Sequence, residues 1–233
     1  MTALTDARLQ LHWAAQIAAG VGRTLLAPRA DDSQTAFAFV DGSLLQEPFD
    51  GLRAGLRLRD LTLVCGTDRF PLRGRTLDDG FAFLESRFGR TLNRPNADLP
   101  DHPVAHGAAF DADPESCETL GGLYEIADPL LRELGGSPVL CWPHHFDIAT
   151  LLTVREGTTI GAGLSPGDAS YPDPYWYVTP WPYPPVASLP ALSRGAWHTA
   201  GWVGAVMDAR EEQARAFVDE AIARCRELLA TRT

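Results

Sequence analysis

Two adjacent imidazoles, three aspartates and most of the Trp and Tyr side chains fall within one stretch of about 45 residues. This stretch contains His144, His145 and Asp147, followed by residues 163–168 (GLSPGD) and residues 171–184 (YPDPYWYVTPWPYP). Seven of the chain's eleven Trp and Tyr residues lie there. Large flat apolar walls with a few polar groups are typical of ligand pockets. We therefore predict a polar–aromatic pocket that binds a small molecule, and the sequence leaves open whether the pocket also catalyses a reaction.

The histidine pair offers two kinds of chemistry. If a strand runs over residues 146–154 and His145 enters it, alternation places His145 and Asp147 on one face. An imidazole and a carboxylate in that arrangement are half of a divalent-metal site, so a metal-dependent hydrolase or oxygenase is the alternative function. The same pair is equally a general base with the group that orients it. The donors available as a third metal ligand are His12, His106, Asp168 and His198.

The same residues also have two plainer roles. They form the polar wall of a pocket without a metal, or the histidines cap the entry to the strand after Pro143 by bonding backbone groups or tyrosine hydroxyls. A catalytic triad is disfavoured. We assign no nucleophile elbow to Ser165 or Ser170, and Cys141 enters from a strand rather than from a helix N-terminus.

Residues 163–168 and 175–179 supply the rest of the predicted pocket. The first segment is a turn because Pro and Gly restrict and free the backbone and Asp168 closes an Asx-type hydrogen bond. As a pocket rim it would also offer Ser165. In the second segment Tyr175 and Tyr177 share one strand face, and one of the two faces belongs to the core. The predicted ligand-binding residues are His144, His145, Asp147, Ser165, Asp168, Tyr175, Trp176 and Tyr177.

The amino-acid composition disfavours several classes of binding partner and of catalytic chemistry. The net charge of −10 on 233 residues works against binding to nucleic acid or to an anionic membrane. All twenty basic residues are Arg, which excludes a Schiff-base lysine and a P-loop lysine. The four cysteines share no CxxC spacing. Without a signal peptide or an apolar run of about 18 residues, we expect a cytoplasmic protein with reduced thiols. The Trp/Pro-rich segment gives a third function class, a dimerising interaction protein.

Apolar periodicity predicts four helices. The first covers residues 7–26 with Thr5 or Asp6 as its cap, and the second starts at Thr76 with a capping-box spacing to Asp79. A third begins at the Asp113-Pro114 pair, with Pro129 expected to kink or restart it. Its buried stripe is predicted to be Cys117, Leu120, Tyr124, Ala127 and Leu131. The last helix covers residues 208–230 and has a full amphipathic stripe.

Two groups of strands lie between the helices. The first group is residues 35–40, 52–58 and 61–65, and residues 104–110 are predicted as a further short strand. The second group is residues 139–142, 146–154, 158–164, 175–179 and 197–206. Short turns between sequential strands favour antiparallel pairing. We therefore predict a single α+β domain over residues 1–233, with an antiparallel sheet of two meanders and the helices packed mainly on one face.

Several passages together resemble a known family. They are an early AFAFVD strand, a FPLRGRTL passage that leads into a helix, and the WPHHFD and SPGD…YPDPYWY passages that follow. In this combination the chain resembles an uncharacterised bacterial domain family of unknown function, over about residues 10–230. The resemblance implies a single domain with a shared site region. It implies no reaction, cofactor or substrate.

Overall fold

Two antiparallel sheets, each packed against a helix, form the framework of the structure, a computed structural model that describes residues 1–95 and 99–230. Contacts between Cα atoms group the chain into two compact units. The first unit comprises Met1–Glu125 with Leu140–Phe146, and the second comprises Ile126–Val139 with Asp147–Thr233. The α+β class with antiparallel sheets is confirmed. The organisation as a single domain stays a prediction.

The sheet of the first unit has its strands in chain order. They are β1 (Ala38–Val40), β2 (Ser43–Leu45), β3 (Ala54–Arg57), β4 (Thr62–Cys65) and β5 (Asp68–Pro71). Leu44, Leu56 and Leu63 lie opposite one another across β2, β3 and β4. All three are fully buried. The predicted strands therefore form in shortened versions, and β2 and β5 join them.

Helices α1 (Ala3–Leu25) and α2 (Leu77–Phe88) belong to this unit. The cap of α1 is Thr2, whose side chain accepts from the Thr5 backbone N–H, so the helix begins earlier than predicted. The capping box of Thr76 and Asp79 is present in full, as predicted. Helix α1 packs against β3 and α2, which buries the apolar face of α1 on the first sheet.

The chain between α2 and the second unit departs from one prediction. Residues 104–110 do not form a strand, because a 3₁₀ turn occupies Pro103–His106 and Gly107 has a φ of 92°. Helix α3 (Pro114–Arg132) follows, and the Asp113 carboxylate accepts from the Ser116 backbone N–H at 2.9 Å. Its predicted stripe is buried throughout. Pro129 lies inside the helix, which continues to Arg132.

Strand β6 (Leu140–Cys141) returns to the first unit, where Phe37 and Cys141 exchange backbone hydrogen bonds of 2.8 and 2.9 Å. The strands of the second unit are β7 (Ile148–Arg155), β8 (Thr158–Ser165), β9 (Tyr175–Trp181), β10 (Ala196–His198) and β11 (Gly204–Asp208). Their spatial order is β10-β11-β9-β8-β7, all antiparallel. The predicted strand over residues 197–206 is thus two strands, separated by a loop that contains Gly201 at a φ of 85°.

Helix α4 (Ala214–Ala230) packs against β8, β9 and β11. It starts later than predicted because Asp208 ends β11 and residues 209–213 form turns. The buried stripe is Phe217, Val218, Ala221, Ile222, Cys225, Leu228 and Leu229. The strands form two separate sheets, of which only the first is a meander, because β11 lies between β9 and β10 in the second. Helices α1 and α4 therefore each pack against their own sheet rather than covering one face of a common sheet.

Candidate functional site

The histidine pair lies in a turn, and this changes its predicted geometry. Residues 143–145 form the turn, and Phe146 has a φ of 58°, in the left-handed region. Strand β7 begins at Ile148, after both His145 and Asp147. Strand alternation therefore does not place these two residues on one face. His144 and His145 are exposed, with ring centroids 4.4 Å apart, and belong to the first unit.

The side chain of His12, in α1, holds this turn in place through a hydrogen bond and a stacking contact. Its Nε2 lies 2.7 Å from the Pro143 carbonyl oxygen, which also accepts from the side-chain amide of Gln16. Because a carbonyl can only accept, Nε2 carries the proton. The His12 ring also stacks on Phe146, with centroids 5.2 Å apart. Burial lowers the pKa of His12 to about 4. His12 is therefore a neutral structural group that holds the turn in place through its Nε2–H.

Asp147 and Tyr177 form the first polar pair of the second unit. The Tyr177 hydroxyl donates a short hydrogen bond to the Asp147 carboxylate. Tyr177 lies opposite Gly163 on β8 and its ring crosses that position. A Cβ atom on Gly163 would lie 2.6 Å from the Tyr177 hydroxyl oxygen and 2.7 Å from the Ile148 carbonyl oxygen. Gly163 is therefore what allows the phenol to reach Asp147.

Gly163→Ala should destabilise the protein by about 1–3 kcal/mol, because the new methyl group meets backbone on one side and the tyrosine ring on the other. The matched control is Gly161→Ala on the same strand, whose Cβ would meet the Thr179 methyl group at 3.1 Å and the Thr179 carbonyl oxygen at 4.0 Å. Urea unfolding of the two variants provides the comparison. Equal stability of Gly163→Ala and Gly161→Ala would contradict this account of the Tyr177 position.

Ser165, Asp168 and Tyr175 lie close together, two residues along β8 and β9 from the Gly163–Tyr177 pair. Tyr175 lies opposite Ser165 on one side and Asp208 on the other. Its hydroxyl donates to the Asp168 carboxylate at 2.6 Å. The other Asp168 oxygen accepts from the backbone N–H groups of Ser170 and Tyr171, which is the predicted Asx-type turn. Burial, followed by the bond to Asp168, raises the pKa of Tyr175. Tyr175 is therefore a protonated donor held in one orientation.

The sequence around Ser165 needs a correction. Residues 163–167 read Gly-Leu-Ser-Pro-Gly, which is the G-x-S-x-G pattern of a nucleophile elbow. That motif acts at a turn from a strand into a helix, whereas β8 leads through a loop into the antiparallel strand β9. Ser165 is buried, and its hydroxyl accepts from the Gly167 backbone N–H at 3.2 Å. The pattern here builds a turn and no elbow.

A third polar–aromatic group was not among the predicted binding residues. The Tyr171 hydroxyl lies 2.9 Å from His198 Nδ1, and His198 Nε2 lies 2.7 Å from the Ala200 carbonyl oxygen. The His198 ring stacks on Trp202 with centroids 4.4 Å apart. In neutral His198 the carbonyl requires the proton on Nε2, so Tyr171 donates to Nδ1. The parity of β10 alone gives no signal for this contact, because Tyr171 reaches it from a loop.

Of the side chains described above, Tyr171 and Tyr175 line an open cleft of about 480 Å³, which we call the tyrosine cleft. Among the residues that the sequence predicted to bind a ligand, Tyr175 alone lines it. The cleft's apolar and aromatic lining comes from the segment before β9 and from the ends of β10 and β11: Tyr171, Pro172, Pro174, Tyr175, Gly195, Ala196, Val206 and Met207. Its charged lining is Asp173, Asp208 and Glu211. The volume lies within the usual range of small-molecule sites, about 300–1,000 Å³.

The guanidinium of Arg210 lies beside the acidic rim of the tyrosine cleft. Arg210 bonds the Asp208 carboxylate through its side chain and its backbone N–H, the latter at 2.8 Å. Arg210 also reaches Asp173 at 3.1 Å. These hydrogen bonds lower the pKa of Asp208. Asp208 therefore carries a negative charge at neutral pH, and the Arg210 guanidinium lies between the two aspartates.

The remaining predicted site residues lie elsewhere. Trp176 is buried in the core beside Leu164 and Met207 and does not line the tyrosine cleft. Within residues 1–95 and 99–230, no group of three or more His, Cys, Asp or Glu side chains is arranged to hold a metal ion. The metal-dependent alternative through His145 and Asp147 gains no third ligand there and stays a prediction.

The remaining predictions concern the Trp/Pro-rich segment, membrane-spanning helices and the cysteines. Trp181 and Tyr183 are exposed, and the homodimer prediction based on this segment stays a prediction. None of the helices in the described part of the chain could span a bilayer. All four cysteine side chains are buried.

Comparison of the chain with protein-family models, with curated proteins and with solved structures gives no significant match. The resemblance based on the WPHHFD and SPGD…YPDPYWY passages therefore stays a prediction. The functional argument depends on the geometry of the site itself.

Proposed function

We propose that the protein binds a small organic molecule in the tyrosine cleft. The observation that carries the proposal is the wall made by Tyr171 and Tyr175, whose ring centroids lie 4.9 Å apart. Both hydroxyls are already bonded within the protein, to His198 and to Asp168. Two anchored aromatic rings beside an open volume of about 480 Å³ provide a rigid apolar surface.

The way in which Tyr171 and Tyr175 are held also supports a role in ligand binding rather than in core packing alone. A buried tyrosine that serves only the core needs one hydrogen bond and no adjacent space. Here Tyr175 is buried and yet borders the cleft, while Tyr171 is half-buried. The ordering of both rings before a ligand arrives lowers the entropic cost of binding.

The test is a substitution that fills the tyrosine cleft. Ala196 lines it and is exposed, so Ala196→Trp should fold and block it. Saturation-transfer NMR with a fragment set of cationic, neutral and anionic compounds is expected to detect binders whose signals Ala196→Trp abolishes. Ala191→Trp is the matched control, because Ala191 is exposed and outside the cleft. If no fragment distinguishes the two variants, the tyrosine cleft is not a binding site.

A further inference from the structure

We propose that the ligand of the tyrosine cleft carries an amine or guanidine group on an apolar, preferably aromatic, body. This inference rests on the proposed binding function and adds the chemical class of the ligand. It begins from the lining, in which three side chains are acidic and none is basic.

The carboxylates are placed by the end of the sheet. Asp208 is the last residue of β11 and lies directly opposite Tyr175, so an acid and an aromatic ring border the same corner of the cleft. Asp173 lies two residues before Tyr175, and Glu211 follows in the turn after β11. Arg210 offsets only one of these three negative charges. The corner therefore attracts a cation and repels an anion.

The aromatic rings of the cleft also favour a cationic ligand. Because the hydroxyls of Tyr171 and Tyr175 are held by His198 and Asp168, we expect a ligand to meet the aromatic rings rather than their polar tips. The face of a tyrosine ring is its electron-rich side and attracts an ammonium or guanidinium group. The remaining lining, including Val206 and Met207, suits the apolar part of such a ligand.

Substitution of Glu211 is the most direct test of whether the negative charge of the cleft contributes to binding. Its side chain is exposed and, within the described residues, takes part in no ion pair, so removal of its charge leaves no protein group unpaired. The adjacent Glu212 is also exposed but does not line the cleft. Glu211→Gln and Glu212→Gln therefore remove the same charge at neighbouring positions with the same effect on the net charge of the protein.

The experiment measures Kd by calorimetry at low salt for three probes that share a phenyl ring and a short chain: phenethylamine, 2-phenylethanol and 3-phenylpropionate. We expect the amine to bind at least about 10-fold more tightly than the alcohol and the acid to bind most weakly. Glu211→Gln should weaken binding of the amine about 5-fold and leave the alcohol unchanged, while Glu212→Gln should alter neither.

The outcomes separate this inference from the proposed function. If the three probes bind with similar Kd and Ala196→Trp abolishes binding of all three, the cleft binds small molecules but the charge inference is wrong. The charge inference is also wrong if Glu211→Gln and Glu212→Gln weaken the amine equally, since the effect then comes from net charge. If the amine binds and Ala196→Trp has no effect, or if none of the probes binds, the inference is overturned.

Discussion

A chain that ends at Gln213, and so lacks α4, should be insoluble or molten. The helix buries seven side chains against β8, β9 and β11, and five of them are large apolar residues. Burial of this stripe contributes on the order of 10 kcal/mol, which is comparable to the whole net stability of a domain. The measurement is near-UV circular dichroism with ANS binding. A truncated chain that still unfolds cooperatively would show that α4 is not needed for the second sheet.

A matched pair of point variants tests the same helix without truncation. Ala221 is fully buried and Ala223 is exposed on the opposite side. Ala221→Asp should abolish cooperative unfolding because it places a carboxylate without a partner in the core, which costs several kcal/mol. Ala223→Asp should change the free energy of unfolding by less than about 0.5 kcal/mol. Equal behaviour of the two variants would contradict the observed orientation of α4.

Acid should destabilise the protein through His12. Burial is the main reason that the folded-state pKa of His12 falls from 6.5 to about 4, and the positive charges of Arg8, His145 and His144 lower it further. Between these two pH values the unfolded chain binds a proton that the folded chain does not. The contribution of neutral His12 is therefore complete above pH 6.5 and decreases as the pH falls toward 4, by about 3 kcal/mol in total.

The measurement is the free energy of unfolding in urea from pH 7 to pH 4, for the parent protein and His12→Gln. The variant lacks the titrating group but can still donate to the Pro143 carbonyl. We expect the parent to lose about 3 kcal/mol more than the variant over this range. Parallel pH profiles would show that His12 is not buried in its neutral form.

The helices could be predicted from the sequence because their signals are local. The Thr76–Asp79 capping box and the Asp113 cap each satisfy helix N–H groups within three residues, so tertiary structure does not change them. The α3 stripe follows from helical periodicity alone. The start of α1 at Thr2 was missed because Thr2, Thr5 and Asp6 are all suitable caps, and only packing decides among them.

Short or interrupted elements could not be predicted in the same way. Strands β2 (SLL) and β5 (DRFP) were missed because neither alternates apolar with polar residues over its three or four positions. Residues 104–110 have a strand-like composition, but Pro103 begins a 3₁₀ turn that removes them from any ladder. The predicted strand over residues 197–206 overlooked Gly201, which permits the loop between β10 and β11.

The candidate site was predicted in part. Sequence parity correctly grouped Tyr175 and Tyr177, and the turn chemistry of Asp168 was recognised. Parity was wrong for His145 and Asp147, because a positive φ at Phe146 breaks the alternation, and non-glycine residues rarely adopt that φ. The bond between Tyr171 and His198 joins residues 27 positions apart through a loop, so no local pattern reports it.

The strand order of the second unit has a consequence for synthesis on the ribosome. Strand β10 emerges before β11 but lies at the edge of the sheet with β11 as its neighbour. A nascent chain that has reached residue 200 already contains Tyr171, Tyr175 and Ala196 but not the strand that joins them. Chain segments pair only after both have been made. The tyrosine cleft therefore cannot assemble until β11 has been made, and a ligand that bound there could bind only after that point.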